Sequence, residues 1–138
     1  MSDAVTMKMT LPKIPDIELV ALEGLDRLAR HLGIADGKIA EARIIVTEAI
    51  INALEHSGAE APDVAVEFTM TTGELSIFVR DRGRGFVPGA VEEPDIRSKI
   101  GAPNKRGWGL RLMKSMSDDF RITSDGGGTT ITIRKLLR

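Results

Sequence analysis

The alternation across residues 64–79 constrains the fold of this chain more than any other feature. Val64, Val66, Phe68 and Met70 take turns with Ala65, Glu67 and Thr69, the period of two of a half-buried strand. Thr71-Thr72-Gly73-Glu74 reads as a tight turn, and Leu75, Ile77 and Val79 continue the inward face on a partner strand. A second hairpin follows near the end, with residues 120–123 and 129–134 joined across Asp125-Gly126-Gly127-Gly128. Residues 7–11 add a short opening strand that Pro12 and Pro15 end. Helices fall between these strands. From Asp16, Leu19, Leu22, Leu25, Leu28, Ala29 and Leu32 recur at threes and fours until Gly33. A second helix is expected over 38–56, with Asp36 as its N-cap and Ser57-Gly58 as its stop. Leu110, Met113 and Met116 predict a short third. Hairpin strands with grouped helices make an α+β layered sandwich, not a doubly wound parallel sheet.

A length of 138 residues suits one domain spanning 1–138 with its own core. A net charge of −1 and a pI near 6.1 call for no nucleic acid and no anionic membrane as partner. The lack of cysteine excludes disulfides and thiolate metal sites and fits a reducing interior. The opening residues hold no continuous apolar stretch, so no signal peptide is read, and no run approaches the roughly 18 apolar residues of a membrane span. The expectation is a soluble, cytoplasmic domain. Residues 86–106 carry three prolines and two glycines without periodicity. A connection of that length and composition is expected to be a lid.

At about 100° per residue, Ile39, Val46, Ile50 and Ala53 share one side of the second helix. Glu48, Asn52, Glu55 and His56 gather on roughly the opposite side, bordered by Ile44, Ile45 and Ile51. Two readings stay open from the helix alone. One is a solvated strip with scattered exposed isoleucines. The other is a partly apolar concavity, where a carboxylate costs free energy unless something uses it. In that setting Asn52 offers an amide oxygen suited to Mg²⁺, which keeps waters and takes other oxygens from phosphates. Glu48, one turn away, could orient or deprotonate an attacking hydroxyl in phosphoryl transfer. His56 reads as a capping or structural residue.

Parity through Leu75, Ile77 and Val79 puts Asp81 on the inward face, where a carboxylate needs a partner. The exocyclic amine of adenine would serve, with Gly83 and Gly85 removing Cβ atoms that would block a flat base. A plain turn satisfied by local N–H groups is the other reading of this stretch. Gly107-Trp108-Gly109 directly before a helix offers free N–H groups and a favourable dipole to phosphate. Lys99, Lys105 and Arg106 upstream could neutralise a triphosphate; a glycine hinge with ordinary lysines is the alternative. The stretch is not the dinucleotide G-x-G-x-x-G, because Arg111-Leu112 stands where the third glycine belongs. Leu110 should pack beneath the pocket. Thr129, by parity with Ile131 and Ile133, faces inward with a hydroxyl in reach of a base, or is simply a strand former. In order, these segments supply a general base, a metal ligand, an adenine anchor and a phosphate cradle, the set needed to bind and use ATP.

Four segments now stand together: Glu48-Ala-Ile-Ile-Asn52-Ala-Leu-Glu-His56, Asp81-Arg-Gly83-Arg-Gly85-Phe86, Gly107-Trp108-Gly109-Leu110 and Gly128-Thr129-Thr130. In order and spacing the chain resembles the GHKL (Bergerat-fold) ATPases, most closely the small anti-sigma-factor serine kinases of bacterial partner-switching systems. The likeness runs over nearly the whole chain. It implies a two-layer sandwich with a mixed, mostly antiparallel sheet, helices on one face, and an ATP lid at about 86–106. By the same resemblance Glu48 is the catalytic base, Asn52 the Mg²⁺ ligand and Asp81 the adenine-binding carboxylate. Gly83 and Gly85 line the base pocket, Gly107 and Gly109 the phosphate pocket, and Thr129 the adenine edge. Lys105, Arg106, Trp108 and Leu110 complete the expected nucleotide-binding set. Trp108 departs from the family's commonest form, which has a smaller residue between these glycines, so closure of the lid is expected to differ.

The resemblance implies an ATP- and Mg²⁺-dependent protein serine/threonine kinase acting as an anti-sigma factor. Its partners would be a sigma factor and, as phosphorylation substrate, a STAS-type anti-anti-sigma factor; the family suggests dimers. The alternative is a non-catalytic module whose nucleotide state controls its grip on a sigma factor or other partner. Glu48 favours the enzyme. A detached ATPase module of a histidine kinase fits less well, because only His31 and His56 are present and Ala-Arg-His31-Leu lacks the acidic neighbour of a phosphoacceptor.

Overall fold

The computed structural model describes residues 4–57, 63–82, 106–125 and 127–137, with residues 106–108 described as backbone. Along the chain run β1 (Val5–Pro12), α1 (Ile17–His31), α2 (Asp36–His56), β2 (Asp63–Met70), β3 (Glu74–Asp81), α3 (Arg106–Met116), β4 (Asp119–Asp125) and β5 (Gly128–Leu136). The strands form one sheet in the order β1-β2-β3-β5-β4, and each described pairing is antiparallel. This is the α+β architecture that the hairpin pattern predicts.

The sheet owes its register to apolar rows that cross all five strands. Met7, Phe68, Ile77, Ile133 and Phe120 stand side by side, as do Met9, Val66, Val79, Ile131 and Ile122. Slipping any strand by one residue would turn its whole row to water, so burial selects this pairing. The turn of the first hairpin is closed by the Thr71 N–H donating to the Glu74 carbonyl at 2.9 Å. Pro12 ends β1 at the sheet's edge, where a missing N–H breaks no ladder.

Helix α2 lies over the sheet between the other two helices. Its core residues include Ile39, Val46, Ile50 and Ala53, as the periodicity predicts, together with Ala42, Ile45 and Ala49. The buried face is wider than the expected stripe because α1 and α3 cover both flanks. On the α1 side the Arg43 guanidinium bonds to Asp26. That hydrogen bond raises the Arg43 pKa above its usual value; burial opposes the effect, and the charges of Asp26 and Asp36 add to it. On the other side α3 runs antiparallel to α2. Lys135 Nζ ties the two together, donating to the Met116 carbonyl at 2.8 Å and to Glu41 Oε2 at 3.2 Å.

Two local expectations change. Asp36 lies inside the first turn of α2, and Ala35 occupies the N-cap without a side-chain bond. The carboxylate therefore acts on the helix dipole and caps nothing. Helix α3 begins at Arg106, so Gly107 and Gly109 belong to its first turn and do not precede it. The lid expected at 86–106 lies outside the described residues except for its last position.

Candidate functional site

Asn52 sits at the rim of the buried face of α2, only 8% exposed, and its Nδ2 has no hydrogen-bond partner among the described residues. Leaving a buried amide donor unsatisfied costs about 1–3 kcal/mol. Such groups are few in native folds, and a catalytic role, a bound water or ion, or stored strain accounts for them. Glu48, one turn earlier, is half-buried and reaches across to α3. An ideal Cβ on Gly109 would stand 2.7 Å from Glu48 Oε2. The carboxylate therefore occupies the space that a side chain at position 109 would fill, beside the first turn of a helix. The open readings of the polar stripe thus divide: Glu55 is exposed, Ile44 is 40% exposed, Ile45 is in the core, and Asn52 is enclosed.

A second polar group closes the end of the sheet's helix-facing side. Asp81 is 2% exposed, on the parity of Val79 and Ile77, and stands in register with Thr129 on β5. Its Oδ1 accepts the Thr129 N–H at 3.2 Å. Thr129, also 2% exposed, faces Ser124 on β4, with 3.3 Å between their hydroxyl oxygens. The close fit of β5 against β3 here depends on Gly128, which has φ +145° and whose ideal Cβ would lie 2.0 Å from the Asp81 carbonyl oxygen. On the open face Arg80 braces the same β3–β5 pair, donating to Thr130 Oγ1 at 2.6 Å.

Of the residues the sequence singles out, Glu48 and Gly109 meet, and Asp81 and Thr129 meet. Leu110 is half-buried against the core beside the fully buried Met113. Gly107 lies in the first turn of α3. Gly83, Gly85, Lys99 and Lys105 fall outside the described residues, as do the side chains of Arg106 and Trp108. Ser124 escapes the sequence reading, which ends its strand at Thr123. Its parity with Phe120 and Ile122 was the available signal.

The set fits a nucleotide: an orphaned Asn52 amide N–H donor suited to a phosphate oxygen, a carboxylate one turn away, a buried carboxylate at a sheet end, and glycines where backbone is bared. Among the described residues no helix is long and apolar enough to cross a membrane. Residues 16–135 match the family model described as a histidine kinase-like ATPase domain. The serine-protein kinase RsbW of Oceanobacillus iheyensis is 28% identical over 138 residues, covering 92% of this chain and 84% of that protein. RsbW of Bacillus cereus is 25% identical over 142 residues, covering 96% and 86%. Among solved structures, the RsbU and RsbW domains of a Mycobacterium tuberculosis protein superpose with a TM-score of 0.70 at 21% identity. That match covers 96% of this chain and 32% of the larger one, and it bears on the fold alone. With the family match spanning all three helices and four of the five strands, the chain belongs to the histidine kinase-like ATPase domain family.

Proposed function

We propose that this chain is an ATP- and Mg²⁺-dependent protein serine/threonine kinase that acts as a cytoplasmic anti-sigma factor. In this reading it holds a sigma factor inactive and phosphorylates a STAS-type antagonist protein. The observation that carries it is the Glu48 carboxylate set against the first turn of α3, with the unsatisfied Asn52 amide one turn along α2. The RsbW proteins, similar over more than nine-tenths of this chain, support the choice of serine as acceptor.

Each residue has a distinct task. Asp81, an acceptor when ionised, takes a hydrogen bond from the base's exocyclic amine. Thr129 meets the same edge. Asn52 would hold Mg²⁺ through its amide oxygen, and the chemistry supplied there would be neutralisation of phosphate charge. The bared first turn of α3 at Gly107 and Gly109 offers N–H groups to phosphate oxygens. Glu48 holds the acceptor hydroxyl and takes its proton as the new O–P bond forms and the bond to ADP breaks.

Transfer of labelled γ-phosphate from ATP to a cognate antagonist tests the proposal. Glu48→Gln should lower the transfer rate about 10²- to 10⁴-fold, the usual worth of a general base. Transfer that survives this substitution intact would remove Glu48 from the chemistry. A wild type that binds Mg-ATP yet phosphorylates no partner would leave only the nucleotide-controlled binding module.

A further inference from the structure

We propose that Ser124 is a positioning residue for recognition of the purine base, acting through the hydroxyl of Thr129. The inference rests on the nucleotide reading of the site and extends it to what selects the base. Asp81, Thr129 and Ser124 stand in one cross-strand row on β3, β5 and β4, directly after two wholly apolar rows on the same face. Asp81 and Thr129 are each 2% exposed, so bulk water does little to set their hydrogen bonds. The row is bonded along its length, with the Thr129 N–H on Asp81 Oδ1 at 3.2 Å and the two hydroxyl oxygens 3.3 Å apart.

The chemistry follows from donor counting. An ionised carboxylate only accepts, whereas a threonine hydroxyl has one proton to place. When Ser124 donates to Thr129, the Thr129 proton is released toward the site. The row then presents an acceptor at Asp81 beside a donor at Thr129. The edge of a 6-aminopurine, with an amine donor beside a ring-nitrogen acceptor, is complementary to that pair. A 6-oxopurine reverses both groups. With Asp81 and Thr129 buried and Ser124 half-buried, each bond polarises the next, so the outer member influences the inner ones. Ser124 thus sets the polarity of Thr129 without touching the base.

Calorimetric dissociation constants for Mg-ATP and Mg-ITP test this in wild type, Ser124→Ala, Ser124→Cys and Ser124→Thr. Ser124→Ala should weaken ATP about three- to tenfold, the range of one hydrogen bond, while ITP changes less than about twofold. Ser124→Cys keeps the shape with a poor donor and should show the same selective loss, which secures the test if the alanine variant folds badly. Ser124→Thr should restore ATP affinity. Equal losses for both nucleotides would mean a merely structural role, and an unchanged ATP constant would mean none; either overturns the inference while leaving the nucleotide reading in place. A wild type that binds neither nucleotide would overturn both.

Discussion

Two glycines of this chain are bared for opposite reasons, and the difference governs what alanine would do at each. At Gly109 the added Cβ would meet the Glu48 carboxylate, the far end of a flexible side chain. The side chain can swing aside, and alanine favours the helix by up to about 1 kcal/mol. Gly109→Ala should therefore keep or slightly raise the melting temperature. Displacing a catalytic carboxylate by about 1 Å can nonetheless cost on the order of 10²-fold in rate. The expected outcome is a folded protein with intact Mg-ATP binding and slow phosphoryl transfer, measured by melting, calorimetry and transfer from labelled ATP. At Gly128 the Cβ would strike the Asp81 carbonyl oxygen at 2.0 Å, with φ at +145°. Backbone cannot swing aside. Gly128→Ala should cost about 2–5 kcal/mol from overpacking and backbone strain together, read as a fall in the urea midpoint.

At the scale of elements, α3 matters because its first turn faces Glu48 while its last is fastened elsewhere. The Lys135 side chain, 15% exposed, donates through its ammonium to the Met116 carbonyl at the C-terminus of α3 and to the Glu41 carboxylate of α2. A cation at that end also suits the helix dipole. Lys135→Met retains the aliphatic stem and removes both bonds, which should cost about 1–3 kcal/mol. The loss should be local: hydrogen exchange of the α3 amides should accelerate more than that of β2 and β3. Uniform acceleration across the sheet would show that Lys135 fastens no particular element. The sheet's own anchor is Phe68, fully buried in β2. Phe68→Ala should lower unfolding free energy by about 3–5 kcal/mol and leave no region spared.

The whole molecule ties the two polar groups to one stability. Because α2 packs on β3 and α3, a ligand that engages Asn52, Asp81 and the first turn of α3 binds only the folded chain. Mg-ATP at a hundred times its dissociation constant should therefore add about 2.7 kcal/mol, seen as a rise in melting temperature. Asp81→Asn should abolish that rise, because an amide presenting its NH₂ to the base amine opposes donor to donor. Trp108, the only tryptophan, adds an optical reading of the same event. Its fluorescence should change on adding Mg-ATP, and Asn52→Ala should weaken the dependence on magnesium.

Much of this architecture follows from local sequence, because hydrophobic period reports which side of an element is buried. Alternation at 64–70 and 75–79 defines the first hairpin, and threes and fours at Ile39, Val46, Ile50 and Ala53 define the core side of α2. Parity likewise places Asp81 and Thr129 inward. What period cannot report is who covers the remaining flank. Helix α3, some fifty residues later in the chain, packs along α2 and meets Glu48, and no local pattern encodes that encounter. The same holds for the Asp81–Thr129–Ser124 row, whose members come from three separate strands. Local periodicity settled which residues turn inward; only long-range packing decided which of them meet, because an apolar face is a property of one segment and contact a property of two.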